Sequence, residues 1–131
     1  VCQEGAALNQ NSSVTYSTLQ DAINGAASGD TIKLLQNLVE SNLTISNSVV
    51  LKSGVYSLDV SGTLDVPVNK TMTWFENTLN ITGAGIINNN GTLHNKAIIQ
   101  NTNPVNNTGV YKGTGQLTGN LLTTGQTQPG N

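Results

Sequence analysis

Apolar and polar positions alternate in short bursts along most of this chain. Thr63-Leu64-Asp65-Val66, Thr78-Leu79-Asn80-Ile81 and Thr92-Leu93-His94 each set single apolar residues between polar ones. A period of two marks a strand with one face buried. Gly, Asn, Ser and Thr clusters separate the bursts, as turns do. The pattern predicts strands over 31–35, 43–46, 49–52, 55–60, 63–66, 71–75, 78–81, 85–88, 92–94, 97–100, 110–112 and 116–122. A helical period occurs once. Leu19, Ala22, Ile23 and Ala26 form one apolar stripe, which predicts a helix over 18–27. Ser17 serves as N-cap, Gln20 stands three residues on as in a capping box, and Gly29 is the stop. The chain thus divides into an extended lead-in (1–16), a capping helix (17–29) and a strand-rich body (30–131).

The body carries a loose repeat. Gly62-Thr63-Leu64-Asp65-Val66, Asn77-Thr78-Leu79-Asn80-Ile81 and Gly91-Thr92-Leu93-His94-Asn95 share one design, and their central leucines recur at nearly constant spacing. Short strands with a recurring unit predict stacked coils, each pairing with the coils above and below. Inward side chains then make an apolar column. Asn side chains in register form amide ladders, and Asn88-Asn89-Asn90 is the clearest stacked turn. At about 20 residues per coil the body holds about five coils. Trp74 and Phe75 are neighbours on a strand, so they point to opposite sides and one belongs to the core.

Composition narrows the function. Charged residues are 9% of 131, against roughly 25% in an average soluble domain. There are 19 Asn, 17 Thr, five Lys scattered along the chain, seven acids, one His, one Cys and no Arg. A net charge of −2 does not suit a run of phosphates, which argues against nucleic-acid binding. No apolar run approaches the roughly 18 residues that a crossing needs, so a membrane span is not expected. One His and one Cys do not make a zinc site from the usual ligands, and no cofactor is expected. Low charge fits stacked coils, where repeated like charges would lie about 4.8 Å apart and repel.

Tyr16-Ser17-Thr18-Leu19-Gln20-Asp21-Ala22-Ile23 through Gly29-Asp30-Thr31-Ile32-Lys33-Leu34 resembles the N-terminal cap of right-handed parallel β-helix proteins of the pectin-lyase-like type. The tract from Gly109-Val110-Tyr111-Lys112-Gly113-Thr114-Gly115 to Gln128-Pro129-Gly130-Asn131 is similar to repeats of bacterial autotransporter passengers and related surface adhesins. The resemblance implies an all-β, single-domain right-handed parallel β-helix (a β-solenoid) with a short N-terminal capping α-helix. It also implies a secreted or cell-surface location, which the Val1 start of a processed chain fits.

Pectate and pectin lyases of this fold imply clustered acids with an Arg or Lys base. Here Arg is missing and the acids are dispersed. The nearest pair is Asp59 with Asp65, with Glu76 further on; they read as solvated turn acids rather than as a hydrolase pair. His94 has no nucleophile pattern around it. Gly83-Ala84-Gly85 and Gly113-Thr114-Gly115 read as turns, not phosphate loops. Sequons occur at Asn11, Asn42, Asn69, Asn80, Asn90 and Asn106, each a candidate glycosylation site.

With little chemistry in view, the coil ends stand out. An uncapped coil end is an exposed strand edge. The expected assembly edge comprises Val1, Cys2, Gln116, Leu117, Thr118, Leu121 and Leu122, with 1–16 free to reach a neighbouring copy as an added strand. The expected function is non-enzymatic: a secreted subunit of an extracellular fibre or adhesin, built by head-to-tail stacking of copies. Surface glycans are a further expected partner. A carbohydrate-binding or carbohydrate-cleaving β-helix is the alternative, and an ice-binding protein, prompted by Thr71-Met72-Thr73, is a minor one.

Overall fold

The computed structural model describes residues 5–119, 121–123 and 125–129. The chain opens with β1 (Ala7–Asn9) and β2 (Val14–Tyr16), then the short helix α1 (Leu19–Asn24). Five rungs of three strands follow. They are β3 (Asp30–Leu34), β4 (Leu38–Glu40) and β5 (Leu43–Thr44); β6 (Val49–Lys52), β7 (Leu58–Val60) and β8 (Thr63–Val66); β9 (Thr71–Phe75), β10 (Thr78–Ile81) and β11 (Ile86–Asn89); β12 (Thr92–Asn95), β13 (Ile98–Asn101) and β14 (Val105–Asn107); β15 (Val110–Gly113), β16 (Gln116–Leu117) and β17 (Leu121–Thr123). A last strand, β18 (Gln126–Pro129), begins a sixth rung.

The strands stack into three parallel faces. Face A runs β3-β6-β9-β12-β15-β18, face B runs β4-β7-β10-β13-β16, and face C runs β5-β8-β11-β14-β17. This is a β-solenoid of about four turns, five rungs separated by four stacking steps, with a body about 19 Å tall at about 4.8 Å per step.

From the second rung onwards the coil narrows along its axis. Val49 pairs with Met72, Thr92 with Val110, and Val110 with Gln126, so the stretch of chain between stacked partners shortens at each of these steps. Face C repeats the trend, from Leu64–Ile87 to Asn88–Asn106 to Val105–Leu121. The repeat visible in the sequence is shorter than any of these rungs and is therefore not the coil. Leu64, Leu79 and Leu93 lie on faces C, B and A in turn, so the repeated unit marks every second face, about two-thirds of a turn apart. Each face needs the same thing, a tight polar corner followed by an inward apolar residue, and so recruits the same residue types.

The core is a single apolar column. Leu58, Leu79 and Ile99 are stacked on face B, and Leu51 with Trp74 on face A, all fully buried. Each such side chain contributes about 1.5–3 kcal/mol by leaving water. Trp74 is the inward member of the Trp74–Phe75 pair, and its indole N–H donates to the Asn77 carbonyl at 2.7 Å. Towards the C-terminal end the inward corner positions change type. Val60 and Ile81 are followed in register by Asn101, Val66 by Asn89 and Asn107, and Leu51 and Trp74 by Asn95. All four asparagines are buried.

Several strands depart from the sequence pattern. β4 and β14 each place Asn beside a short burst that carries only one or two apolar residues. The tract 116–122 is two strands, because Gly119 turns a corner with its N–H on Asn101 Oδ1 at 2.8 Å. The lead-in is not free to reach a neighbour over residues 7–16. β1 pairs antiparallel with both β2 and β3, adding a hairpin to the N-terminal edge of face A. The N-cap of α1 is Thr18, one residue after the expected Ser17, and the helix ends at Gly25 rather than running to Gly29.

Candidate functional surfaces: the coil ends and face A

The two ends of the solenoid differ. At the N-terminal end α1 buries Leu19, Ala22 and Ile23 in the core. Gln20 reaches from the helix to β5, the first strand of face C. Its Nε2 donates to the Thr44 carbonyl at 2.9 Å, and its Oε1 accepts the Thr44 N–H at 2.8 Å. One side chain thereby fills both bonding groups of an edge residue, as a further strand would. Asn47 Nδ2 donates back to the Ile23 carbonyl at 3.0 Å, and Ser46 Oγ donates to Asn24 Oδ1 at 2.5 Å. With the hairpin over face A and the helix against face C, most of this end is covered.

The C-terminal end is built differently. Among the described residues, β16 and β17 are the last strands of faces B and C, and β18 is the last of face A. Gln116 and Leu117 lie on β16, Leu121 and Leu122 on β17, and Thr118 directly follows β16. Five of the seven expected edge residues thus belong to the outermost rung. Val1 and Cys2 lie outside the described residues. Leu117 and Leu121 are partly buried and pack against the end of the core. No described helix covers them.

The lysines are not scattered in space. Lys33, Lys52 and Lys112 lie on strands of face A, with Lys33 directly beside Lys52 one rung away. Lys96 follows β12 and turns its ammonium over the Phe75 ring, 5.4 Å from the centroid. Phe75 is the register partner of Lys52. Thr31, Val50, Thr73, His94 and Lys112 form the parallel outward column. Burial, then Lys112 and Lys96, hold the His94 imidazole below its ordinary value of 6.5, and its Nε2 is buried without a hydrogen-bond partner. Among the described residues two acids adjoin this face, each hydrogen-bonded to neutral donors. Asp30 accepts from Asn9 Nδ2 and from the Ala27 N–H, both at 2.9 Å, and Glu76 accepts the Gly54 N–H at 3.0 Å.

The other candidate residues do not converge. Asp59 is on face B and Asp65 on face C, and Asp59 accepts from Asn80 Nδ2 at 2.9 Å. Among the described residues no three of His, Cys, Asp and Glu come together. A shallow groove of about 470 Å³ along face B and the turns that follow its strands is lined by neutral groups, including Asn80, Thr82, Gln100 and Thr118. Thr71 stacks on Thr92, but Thr73 stacks on His94, so the outward threonines form no continuous array. Asn80 and Asn106 use their amides in ladders, to Asp59 and to Asn88 Oδ1 (3.1 Å). Asn11, Asn42, Asn69 and Asn90 are exposed in turns.

No family model, no curated protein and no solved structure matches this chain.

Proposed function

We propose that this protein is non-enzymatic and structural: the covered head of a stacked-rung assembly outside the cell, an adhesin or fibre component that grows through its C-terminal edge. The observation that carries the reading is the asymmetry of the ends. Gln20, α1 and the β1–β2 hairpin occupy the N-terminal end, while among the described residues β16, β17 and β18 carry no further strand. Stray edges are normally blunted by charge, Pro or cover; β16 and β17 carry no charged residue and no Pro, and β18 has a Pro only at its last position, Pro129. The resemblance of the cap to pectin-lyase-like β-helices, and of the last tract to autotransporter passengers, supports a secreted or cell-surface setting. A covered N-terminal end departs from unlimited head-to-tail stacking, which needs two open ends.

Sedimentation equilibrium over a wide concentration range tests this. The chain should pass from monomer to dimer with concentration, two copies meeting at their C-terminal edges, and the Leu117→Lys, Leu121→Lys double variant should remain monomeric with an unchanged circular dichroism spectrum. If that variant loses its fold, amide exchange in β16–β18 at high and low concentration replaces it, with slower exchange expected at high concentration. A strict monomer at every concentration, or exchange that does not respond to concentration, overturns the proposal.

A further inference from the structure

Like charges side by side on neighbouring strands destabilise a sheet, and a chain with five lysines has ample room to keep them apart. Four of the five nevertheless converge on face A. Lys33 and Lys52 are direct register partners, and Lys112 is the register partner of His94, two residues from Lys96. Local rules are broken in this way where a surface is used.

We propose that face A is a binding surface for a linear sulfated polysaccharide lying along the solenoid axis. Lys33, Lys52, Phe75 and Lys96 follow one another parallel to that axis, so three positive charges and one aromatic platform lie along three stacking steps of about 4.8 Å each. A line of charge suits a linear polyanion better than a compact one. The spacing of the cations selects the anion. Lys33 and Lys52 are one strand spacing apart, so a sulfated polysaccharide, with several charges per disaccharide, meets each with its own anion, whereas a carboxylate-only polymer with a single charge per disaccharide does not. Thr31, Thr73 and Thr92 supply hydroxyls on the same face for sugar hydroxyls. Nucleic acid is disfavoured because single-strand binding uses several stacking aromatics, and Phe75 is the one aromatic of the outward columns. This surface is separate from the C-terminal edge, so its test does not depend on the assembly reading.

Heparin is the probe, with hyaluronan as the carboxylate-only polymer and duplex DNA as the phosphate polymer. The protein should bind heparin at low salt, at least about tenfold more tightly than either of the others, and release it as salt screens the lysines. Replacing Lys33, Lys52, Lys96 and Lys112 by Gln should weaken heparin binding by about tenfold or more. Lys70→Gln, in the turn before β9, should leave it nearly unchanged. Lys52→Gln should unfold at no lower temperature than the parent, since it relieves a like-charge pair, so its loss of binding is not loss of fold. Equal weakening by Lys70→Gln and Lys52→Gln, retention of heparin by the fourfold variant, or equal affinity for hyaluronan or DNA would falsify the proposal.

Discussion

Asn95 illustrates how a polar side chain can sit in the core. Its Nδ2 donates to the Gln116 carbonyl at 3.0 Å and to Tyr111 Oη at 3.1 Å, and its Oδ1 accepts the Ala97 N–H at 3.0 Å. Three groups at a corner, two of them on the next rung, are satisfied by one buried amide. Asn89 Nδ2 likewise donates to Asn107 Oδ1 at 2.7 Å and to the Val110 carbonyl at 2.8 Å, while its buried Oδ1 has no hydrogen-bond partner among the described residues. The Asn88-Asn89-Asn90 stack is legible in the sequence because laddering follows from register. That Asn95 and Asn101 face inward is not, since a single sequence carries no sign of which polar residue a corner will bury. His94 provides a pH test. Its folded value lies below 6.5, so just below that pH the unfolded chain binds more protons than the folded one. The histidine contribution is therefore complete above pH 6.5 and is lost as the pH falls towards the folded value. Glu40 opposes it, since burial raises its carboxyl and favours the protonated folded form. Thermal unfolding of His94→Gln beside the parent isolates the histidine: the parent should lose more stability on mild acidification. Identical losses would remove His94 from the account.

Among the elements, α1 matters more than its short length suggests. Its apolar stripe is readable from Leu19, Ala22 and Ile23, because a helical period inside a strand pattern is conspicuous. The expected capping box does not form around Gln20, which bonds across to β5 instead, and Thr18 Oγ1 alone accepts the Asp21 N–H at 3.1 Å. Local sequence holds no trace of a partner so distant along the chain. Gln20→Ala should cost about 1–2 kcal/mol in urea unfolding. Gln20→Glu should also destabilise, because a carboxylate still accepts the Thr44 N–H but leaves the carbonyl without its donor. Equal stability of Gln20→Glu and the parent would show that the carbonyl bond contributes nothing. Strands 49–52, 63–66, 71–75 and 78–81 match their expected bounds because each alternates cleanly. β1, β2, β4, β14 and β18 escape the pattern for the converse reason: very short strands with few apolar residues carry too little period to read.

The stacked-coil architecture is legible across the whole molecule, since short strands and polar corners leave few other ways to bury the apolar positions. The gathering of lysines is not, because it depends on rung length. Lys33 and Lys52 meet only because the first rung is of the length that brings them into register. Stability in such a stack is nearly a sum of rung and neighbour terms. The N-terminal rungs hold the fully buried Leu51, Trp74 and Leu79, while Tyr111, Leu117 and Leu121 near the other end are only partly buried. Amide exchange should be slowest in β6 to β10 and fastest in β15 to β17, as local opening follows buried apolar contact. Uniform protection along the axis would contradict the additive picture. The taper of the rungs adds a selection rule. A corner can sit squarely on the one beneath it only when both loops have nearly the same perimeter. In the proposed assembly the narrow end would therefore act as a gauge, taking a rung of about its own girth and refusing the broader early coils of another copy, even with their cover removed.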